Sequence, residues 1–305
     1  MTDTIAAIAT AVSNAGISII RVSGSDAVQI VNEIFVTKGG KHILNNVASH
    51  TIHYGFIQEQ DEMIDEVMVS VMKAPKSYTA EDVVEINCHG GVLVTNKILK
   101  TVISHGARIA EPGEFTKRAF LNGRIDLTKA EAIMDLIEAK SDYALKASEN
   151  QLQGKIYDEV VKLRKKIIYE IAFIESAIDD PEHISLDGYT ERLMQVVDAV
   201  LIEIEELIKN AENGKLIKEG IDTVIVDKPN AGKASLLNRM LGEEKAIVTD
   251  IAGTTRDIIQ ESMKLGGISL NLIDTAGIHE TNDVVEKIGV GKAKECIEKA
   301  DLVVY

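Results

Sequence analysis

The residues best suited to chemistry lie between Thr223 and Gly277. A β-branched run, Thr223-Val-Ile-Val226, leads into Asp227-Lys-Pro-Asn-Ala-Gly-Lys-Ala234 and then into the helix-forming Ser235-Leu-Leu-Asn-Arg-Met-Leu241. Strand, tight loop, Gly-Lys and helix in that order are the context of a phosphate-binding loop. In such a loop the backbone N–H groups and the helix N-terminus face the β-phosphate, and the lysine adds a point charge. Lys233 suits that role, and Gly232 lets the backbone approach closely. Two positions depart from G-x-x-x-x-G-K-[ST]. Asp227 stands at the first glycine, and Ala234 stands where a hydroxyl would reach Mg²⁺. Asp250-Ile-Ala-Gly-Thr-Thr-Arg-Asp257 follows at the distance of a switch loop, with threonines able to reach Mg²⁺ and a γ-phosphate. Ile268–Asp274 then reads as a strand ending in Asp274-Thr-Ala-Gly277. That supplies a Walker-B-type aspartate and a glycine whose N–H can sense the γ-phosphate.

Two further charges stand in apolar runs near the other end of the chain. Arg21 lies inside the strand-like Gly16–Gly24, and Glu85 inside Val83–Asn87. A charge is costly to bury unpaired. Taken alone, Arg21 fits a pleat edge reaching solvent, and it also fits an anion-facing position. His89, before Gly90-Gly91, reads as a turn residue, since no cluster of metal ligands accompanies it. Cys88 and Cys296 are far apart and form no metal-ligand pattern, so a reduced, cytosolic setting is the default.

The elements that must position these residues fall into blocks. A chain of 305 residues suggests two or three domains. With 45% hydrophobic residues, packed cores are within reach. Only 4% are aromatic and there is no Trp, which speaks against a stacking platform for single-stranded nucleic acid. A net charge of −15 excludes a large basic footprint on the chain as a whole. No apolar run approaches membrane-spanning length, and the N-terminus lacks the basic start of a signal peptide.

Strands are expected at Thr4–Thr10, Gly16–Gly24, Ala48–Gln58, Glu62–Met72 and Val83–Asn87. Helices are expected at Asp26–Phe35, with Ser25 as N-cap, and at Val92–Ser104. The order argues an α+β domain. The period then becomes helical. Leu127–Leu152 carries a weak apolar stripe, and Ile156, Val160, Leu163, Ile167, Ile171, Ile174 and Ile178 make a stronger one that stops at Asp179-Asp-Pro181. A third helix is expected from Thr190 to Asn213, with Val197, Leu201, Ile204 and Ile208 apolar and Gly214 as C-cap. These stripes read as core. Beyond Gly220, Asp257–Leu265 should pair with Ile268–Ile273, Val284–Ala300 reads as a helix, and Ala300–Tyr305 as the start of a buried strand. A guanine-nucleotide fold needs more strands and a base-specificity loop, so the sequence is expected to be a fragment.

With these residues in view, the chain resembles the MnmE (TrmE) family of tRNA-modification GTPases over essentially all of its length. The most specific signatures are Glu111-Pro-Gly-Glu-Phe-Thr-Lys-Arg-Ala-Phe-Leu-Asn-Gly-Arg-Ile-Asp-Leu127, Asp250–Asp257, and Asp274–Gly277 followed by Glu286. The resemblance implies a multidomain α+β and α/β architecture. Residues 1–118 would form a tetrahydrofolate-binding, dimerising domain, 119–216 the first half of an all-α helical domain, and 217–305 a truncated P-loop GTPase (G) domain. It implies GTP hydrolysis in the cytoplasm and addition of an aminomethyl or carboxymethylaminomethyl group to carbon 5 of the wobble uridine of certain tRNAs. The implied partners are a second copy of the chain, the flavoprotein MnmG and tRNA, with no membrane.

Site roles follow by the same resemblance. Arg21, Glu85 and Arg124 would contact the folate, a 5-formyl- or 5,10-methylene-tetrahydrofolate. GTP would be held by Asn230, Ala231, Gly232, Lys233, Ala234 and Ser235, by Thr249, Asp250, Ile251, Ala252, Gly253, Thr254 and Thr255, and by Asp274, Thr275, Ala276 and Gly277. Asn230, Thr249, Ile251 and Thr254 would bind K⁺, and Thr255 would bind Mg²⁺, with the Ala234 ligand lost. Glu286 would orient the attacking water through a bridging water. Asp227 and Ala234 keep two alternatives open: a nucleotide-defective member acting as a folate-binding or dimerisation module and, more remotely, an unrelated switch GTPase of ribosome assembly.

Overall fold

The computed structural model describes residues 3–60, 62–226, 260–273 and 297–304. The chain divides into two compact units, Met1–Ala130 and Glu131–Tyr305.

The first unit is built on a seven-stranded sheet. In chain order its elements are β1 (Ile5–Ile8), β2 (Ile17–Ser23), α1 (Ala27–Ile34), β3 (Phe35–Val36), β4 (Thr51–Glu59), β5 (Glu62–Met72), β6 (Val83–His89), α2 (Val92–Ser104), β7 (Arg108–Ile109) and α3 (Glu114–Leu121). The strand order is β3-β4-β5-β6-β2-β1-β7, antiparallel except for the parallel pair of β1 with β7. Alternation decides which face is buried. Ile20 and Val22 of β2, Val67, Val69 and Val71 of β5, and Val84 and Ile86 of β6 meet Val31 and Ile34 of α1 and Ile98 and Val102 of α2. The intervening residues, Ile19, Arg21, Glu85 and Asn87 among them, are half-buried on the other face.

Two short strands, β3 and β7, are absent from the sequence reading, because two residues carry no period. Ser25 is not the cap of α1. Asp26 occupies the N-cap position without a side-chain cap bond, and its N–H donates to Thr4 Oγ1 at 3.1 Å, tying the helix start to the residue before β1.

The helix α4 (Leu127–Glu138) bridges the division at Ala130. The second unit continues with α5 (Asp142–Leu152), α6 (Lys155–Asp179) and α7 (Tyr189–Glu219), then β8 (Ile221–Ile225), β9 (Gln260–Leu265), β10 (Ile268–Ile273) and β11 (Leu302–Val304). The strand order is β11-β8-β10-β9. β8 lies parallel to both β10 and β11, and β9 and β10 form an antiparallel hairpin.

Four expectations are corrected here. The stripe over Leu127–Leu152 is two helices, because Ser141 accepts the Ala144 N–H at 3.1 Å and starts α5 afresh. Gly214 lies within α7, and Gly220, at φ 86°, ends it. A glycine is tolerable inside a long helix at a cost of about 1 kcal/mol, whereas the turn into β8 needs the positive φ. The apolar stripes of α6 and α7 are not buried as read. Ile156, Val160, Ile167, Ile171 and Ile178 remain 44–67% exposed, while the buried residues of α6 are Leu163, Glu170 and Ala177. Those three recur every seven residues; Leu163 belongs to the expected stripe, whereas Glu170 and Ala177 lie one position before Ile171 and Ile178, so the buried seam shares only Leu163 with it. Glu170 is tolerated there because Tyr189 donates its hydroxyl to Glu170 Oε2 at 2.8 Å. Finally, β11 is exposed rather than buried, since among the described residues it has a neighbour only at β8. Of the helix expected over Val284–Ala300, residues 297–300 are described, and 297–299 are helical.

Candidate functional site

Arg21 and Glu85 sit opposite each other in the register of β2 and β6. Arg21 Nε donates to Glu85 Oε1 at 2.8 Å, and a terminal nitrogen of the same guanidinium lies 2.7 Å from that oxygen. Neither charge is unpaired, which is how both are accommodated among apolar neighbours. Their side chains stay 25% and 21% exposed, so the pair is open to a ligand from the face away from α1 and α2.

Tyr78, in the loop between β5 and β6, stands over this pair. The Arg21 guanidinium carbon is 4.9 Å from the Tyr78 ring centroid and 5.6 Å from that of Phe115 on α3. Arg124 approaches the same Tyr78 ring at 5.0 Å. These distances are those of cation–π contacts. The Tyr78 hydroxyl shares a hydrogen bond of 2.9 Å with Thr116 Oγ1 on α3. Arg124 reaches the ring because α3 ends just before it, with Gly123 at φ 72° and the Arg124 N–H donating to the Ala119 carbonyl at 2.9 Å. The fold thus brings together Arg21, Glu85 and Arg124. It adds Tyr78 and Phe115, which sequence reasoning missed. Phe115 lay within the signature Glu111–Leu127, beside Glu114, whereas Tyr78, between Ser77 and Thr79, carried no such signal.

The chemistry of this box is definite. A guanidinium binds a carboxylate through paired donors, a carboxylate accepts from amino and ring N–H groups, and an aromatic ring offers a face to a flat heterocycle. A ligand with a planar donor edge and an anionic tail suits such a set.

Behind the box lies an ionic cluster of Asp3, Glu81, Arg108, Glu114 and Arg118. Arg118 is buried, 1% exposed, and Glu114 nearly so. Bonding from Arg108 foremost, then from the Glu111 N–H and Arg118, holds the Glu114 carboxyl down to about 2. At the C-terminal end of β6, His89 Nδ1 lies 2.7 Å from Asp65 Oδ1, and the His89 N–H donates to the second Asp65 oxygen at 2.8 Å. The carboxylate raises the imidazole above its usual range. His89 closes β6 rather than forming a turn, and no group of three or more His, Cys, Asp or Glu able to hold a metal occurs among the described residues.

The expected nucleotide-site residues lie outside the described residues: Asn230 to Ser235, Thr249 to Thr255, Asp274 to Gly277, and Glu286. Their frame is described. β8 and β10 run parallel, with Val224 beside Ile273, so both end at one edge of the sheet. The carboxyl ends of parallel strands are where open α/β sheets bind ligands.

Residues 4–124 match the family model of the GTP-binding protein TrmE N-terminus, and residues 127–303 match that of the MnmE helical domain. The chain is 58% identical over 303 residues to the tRNA modification GTPase MnmE of Lachnoclostridium phytofermentans, covering 99% of this chain and 66% of that protein. It is 51% identical over 304 residues to the tRNA modification GTPase MnmE of Bacillus subtilis, with the same coverage. The chain therefore spans just under two thirds of the length of these curated relatives.

Proposed function

Because the chain belongs to the MnmE/TrmE family of tRNA modification GTPases, we propose that it binds a reduced folate in its first unit, binds GTP in its second, and acts in tRNA modification. The observation that carries the folate reading is the convergence of Arg21 and Arg124 on the Tyr78 ring, with Glu85 paired to Arg21. The arginines suit the carboxylates of a glutamate tail, Glu85 suits the amino edge of a pterin, and Tyr78 and Phe115 supply flat apolar surface. Calorimetry on the whole 305-residue chain with 5-formyltetrahydrofolate tests this. Heat of binding that disappears in Arg21→Ala is expected; absence of heat in the unaltered chain rejects the folate.

The nucleotide reading rests on sequence. Lys233 and the loop N–H groups would hold the β-phosphate, Thr255 the Mg²⁺, and Asn230, Thr249, Ile251 and Thr254 a K⁺. An amide oxygen grouped with carbonyls is a hard-ligand set suited to a monovalent cation, which adds positive charge where the transition state gains negative charge. Glu286 would orient water, and the product would be a modified carbon 5 of a wobble uridine, made by a homodimer together with MnmG in the cytoplasm. Among the described residues no helix is long and apolar enough to cross a membrane. Hydrolysis faster in K⁺ than in Na⁺, and lost in Asn230→Ala, is the expected result in a chain of the relatives' full length. A second reading is a nucleotide-defective member that serves as a folate-binding module, and Asp227 and Ala234 favour it.

A further inference from the structure

The loop that carries Tyr78 is held in a disfavoured shape. Ala80, a residue with a Cβ, sits at φ 60° in the left-handed region. A backbone in that region persists when its surroundings over-determine it. The surroundings here are specific. Thr79 is fully buried, its hydroxyl 2.7 Å from Ser23 Oγ, and its carbonyl accepts from Asn122 Nδ2 at 2.7 Å. Glu81 accepts from Ser23 Oγ at 2.8 Å and faces Arg118, whose Nη1 lies 3.3 Å from each carboxylate oxygen. Both sides of Ala80 are pinned, and Tyr78 precedes the first pin.

Arg118 is the residue common to the parts that must agree. Nη1 donates to the Asp3 carbonyl at 2.8 Å, Nη2 to Asp3 Oδ1 at 2.9 Å, and Nη2 to Glu114 Oε1 at 3.1 Å. One guanidinium thereby joins the segment before β1, the Ser77–Asp82 loop and helix α3. The same helix carries Phe115 and Thr116, which touch Arg21 and Tyr78. Arg118 Nε has no hydrogen-bond partner among the described residues, although it is buried. A buried ionic cluster with an unmet donor is a poor source of stability compared with apolar packing. What it does supply is fixed geometry.

We propose that Arg118 is a positioning residue for the folate box: through Glu81 and α3 it holds the Ser77–Asp82 loop in its strained shape and so sets the Tyr78 ring between Arg21 and Arg124. The inference rests on the folate reading for the identity of the ligand, and on the pinned loop for the mechanism.

The test uses the full chain with Arg118→Lys, which keeps the charge and loses the planar fork. Glu81→Gln serves as a milder change on the loop side, should Arg118→Lys fail to fold. Hydrogen exchange over residues 77–82 reads the loop, and calorimetry with 5-formyltetrahydrofolate reads the ligand. The expected result is faster exchange in that loop with α1 and α2 unchanged, and affinity about tenfold weaker, which is about 1.4 kcal/mol. Adding Ala80→Gly should then restore part of the affinity, because glycine holds the positive φ without a Cβ penalty. A lower melting temperature with unchanged affinity, unchanged loop exchange and no rescue is the signature of a merely structural cluster and overturns the proposal. If the unaltered chain does not bind the folate, the ligand reading fails by itself. The exchange measurement still decides the pin, with acceleration upholding it and no change refuting it.

Discussion

Asn271, on β10, donates from Nδ2 to the carbonyl oxygen of Glu219, the last residue of α7, at 2.9 Å. The same amide reaches Asp222 Oδ1 at 2.9 Å. Gly220 lies between the two acceptors, at φ 86°, and a Cβ there would stand 2.9 Å from the Ser269 carbonyl oxygen. The junction between helix and sheet is thus closed around a position with no room for a side chain. Gly220→Ala should lower unfolding stability by about 3 kcal/mol, combining backbone strain with a clash against backbone. Gly266, in the β9–β10 turn at φ 58°, meets nothing within 4 Å. Gly266→Ala should therefore cost only the left-handed penalty of about 1 kcal/mol. Denaturant titration of both variants checks the ranking, and equal losses would contradict it.

What could be read from the sequence follows the range of the interactions involved. The bounds of β5 and α2 were legible because a strand-like run of β-branched and apolar residues and a Gly-Gly start are local signals. Arg21 and Glu85 were legible as misplaced charges, but their pairing was not, since strand register joins residues 64 positions apart. Tyr78 was invisible as a site residue because a loop tyrosine carries no period. The α6 seam was misread for a related reason. Periodicity shows that Ile167 and Ile171 share a face, yet which face meets α7 depends on Tyr189 capturing Glu170. The break at Ser141 was local and legible in principle, since Ser followed by an acidic first turn is a helix start.

Glu114 should make stability depend on pH in a defined window. Its carboxyl titrates at about 2 in the folded chain, chiefly because Arg108 bonds to it. A depressed value means the folded state prefers the charged form, so the contribution is present above the unfolded value near 4.5 and is lost as pH falls towards 2. Glu114→Gln should destabilise the first unit by roughly 2–3 kcal/mol at pH 7. The gap between variant and parent should narrow between pH 4.5 and 2, as followed by urea unfolding at each pH. A gap independent of pH would assign the loss to packing.

Tyr78 offers a separation of ring from hydroxyl. Two guanidiniums at about 5 Å from one ring contribute roughly 0.5–1 kcal/mol each. Tyr78→Ala should then weaken folate binding about tenfold or more. Tyr78→Phe keeps the ring and loses the bond to Thr116, so its affinity should stay within about threefold of the parent. Calorimetry distinguishes them, and equal losses would place the importance in the hydroxyl.

The last expectation concerns Asp227 and Ala234, which lie outside the described residues and are argued from sequence. Asp227 puts a side chain where a phosphate loop favours glycine. It also sets a carboxylate near the polyphosphate, a like-charge contact that weakens with salt less than a surface pair would. Ala234 would lack the hydroxyl expected to be a direct ligand for Mg²⁺. Ser235 does not replace it, because one step along a helix turns a side chain about 100° away. Thr255 and water would remain to hold the metal, so only a partial loss is expected. The chain should accordingly bind Mg·GTP weakly and hydrolyse it slowly. The check is a reversal in a chain of the relatives' full length: Asp227→Gly and Ala234→Ser, singly and together, with GTP affinity and turnover measured at fixed Mg²⁺. Asp227→Gly should act mainly on affinity with or without the metal, and Ala234→Ser mainly on the Mg²⁺ dependence. A parent protein that already matches the double revertant would show that neither position matters, and that the N–H groups with Lys233 carry the site alone.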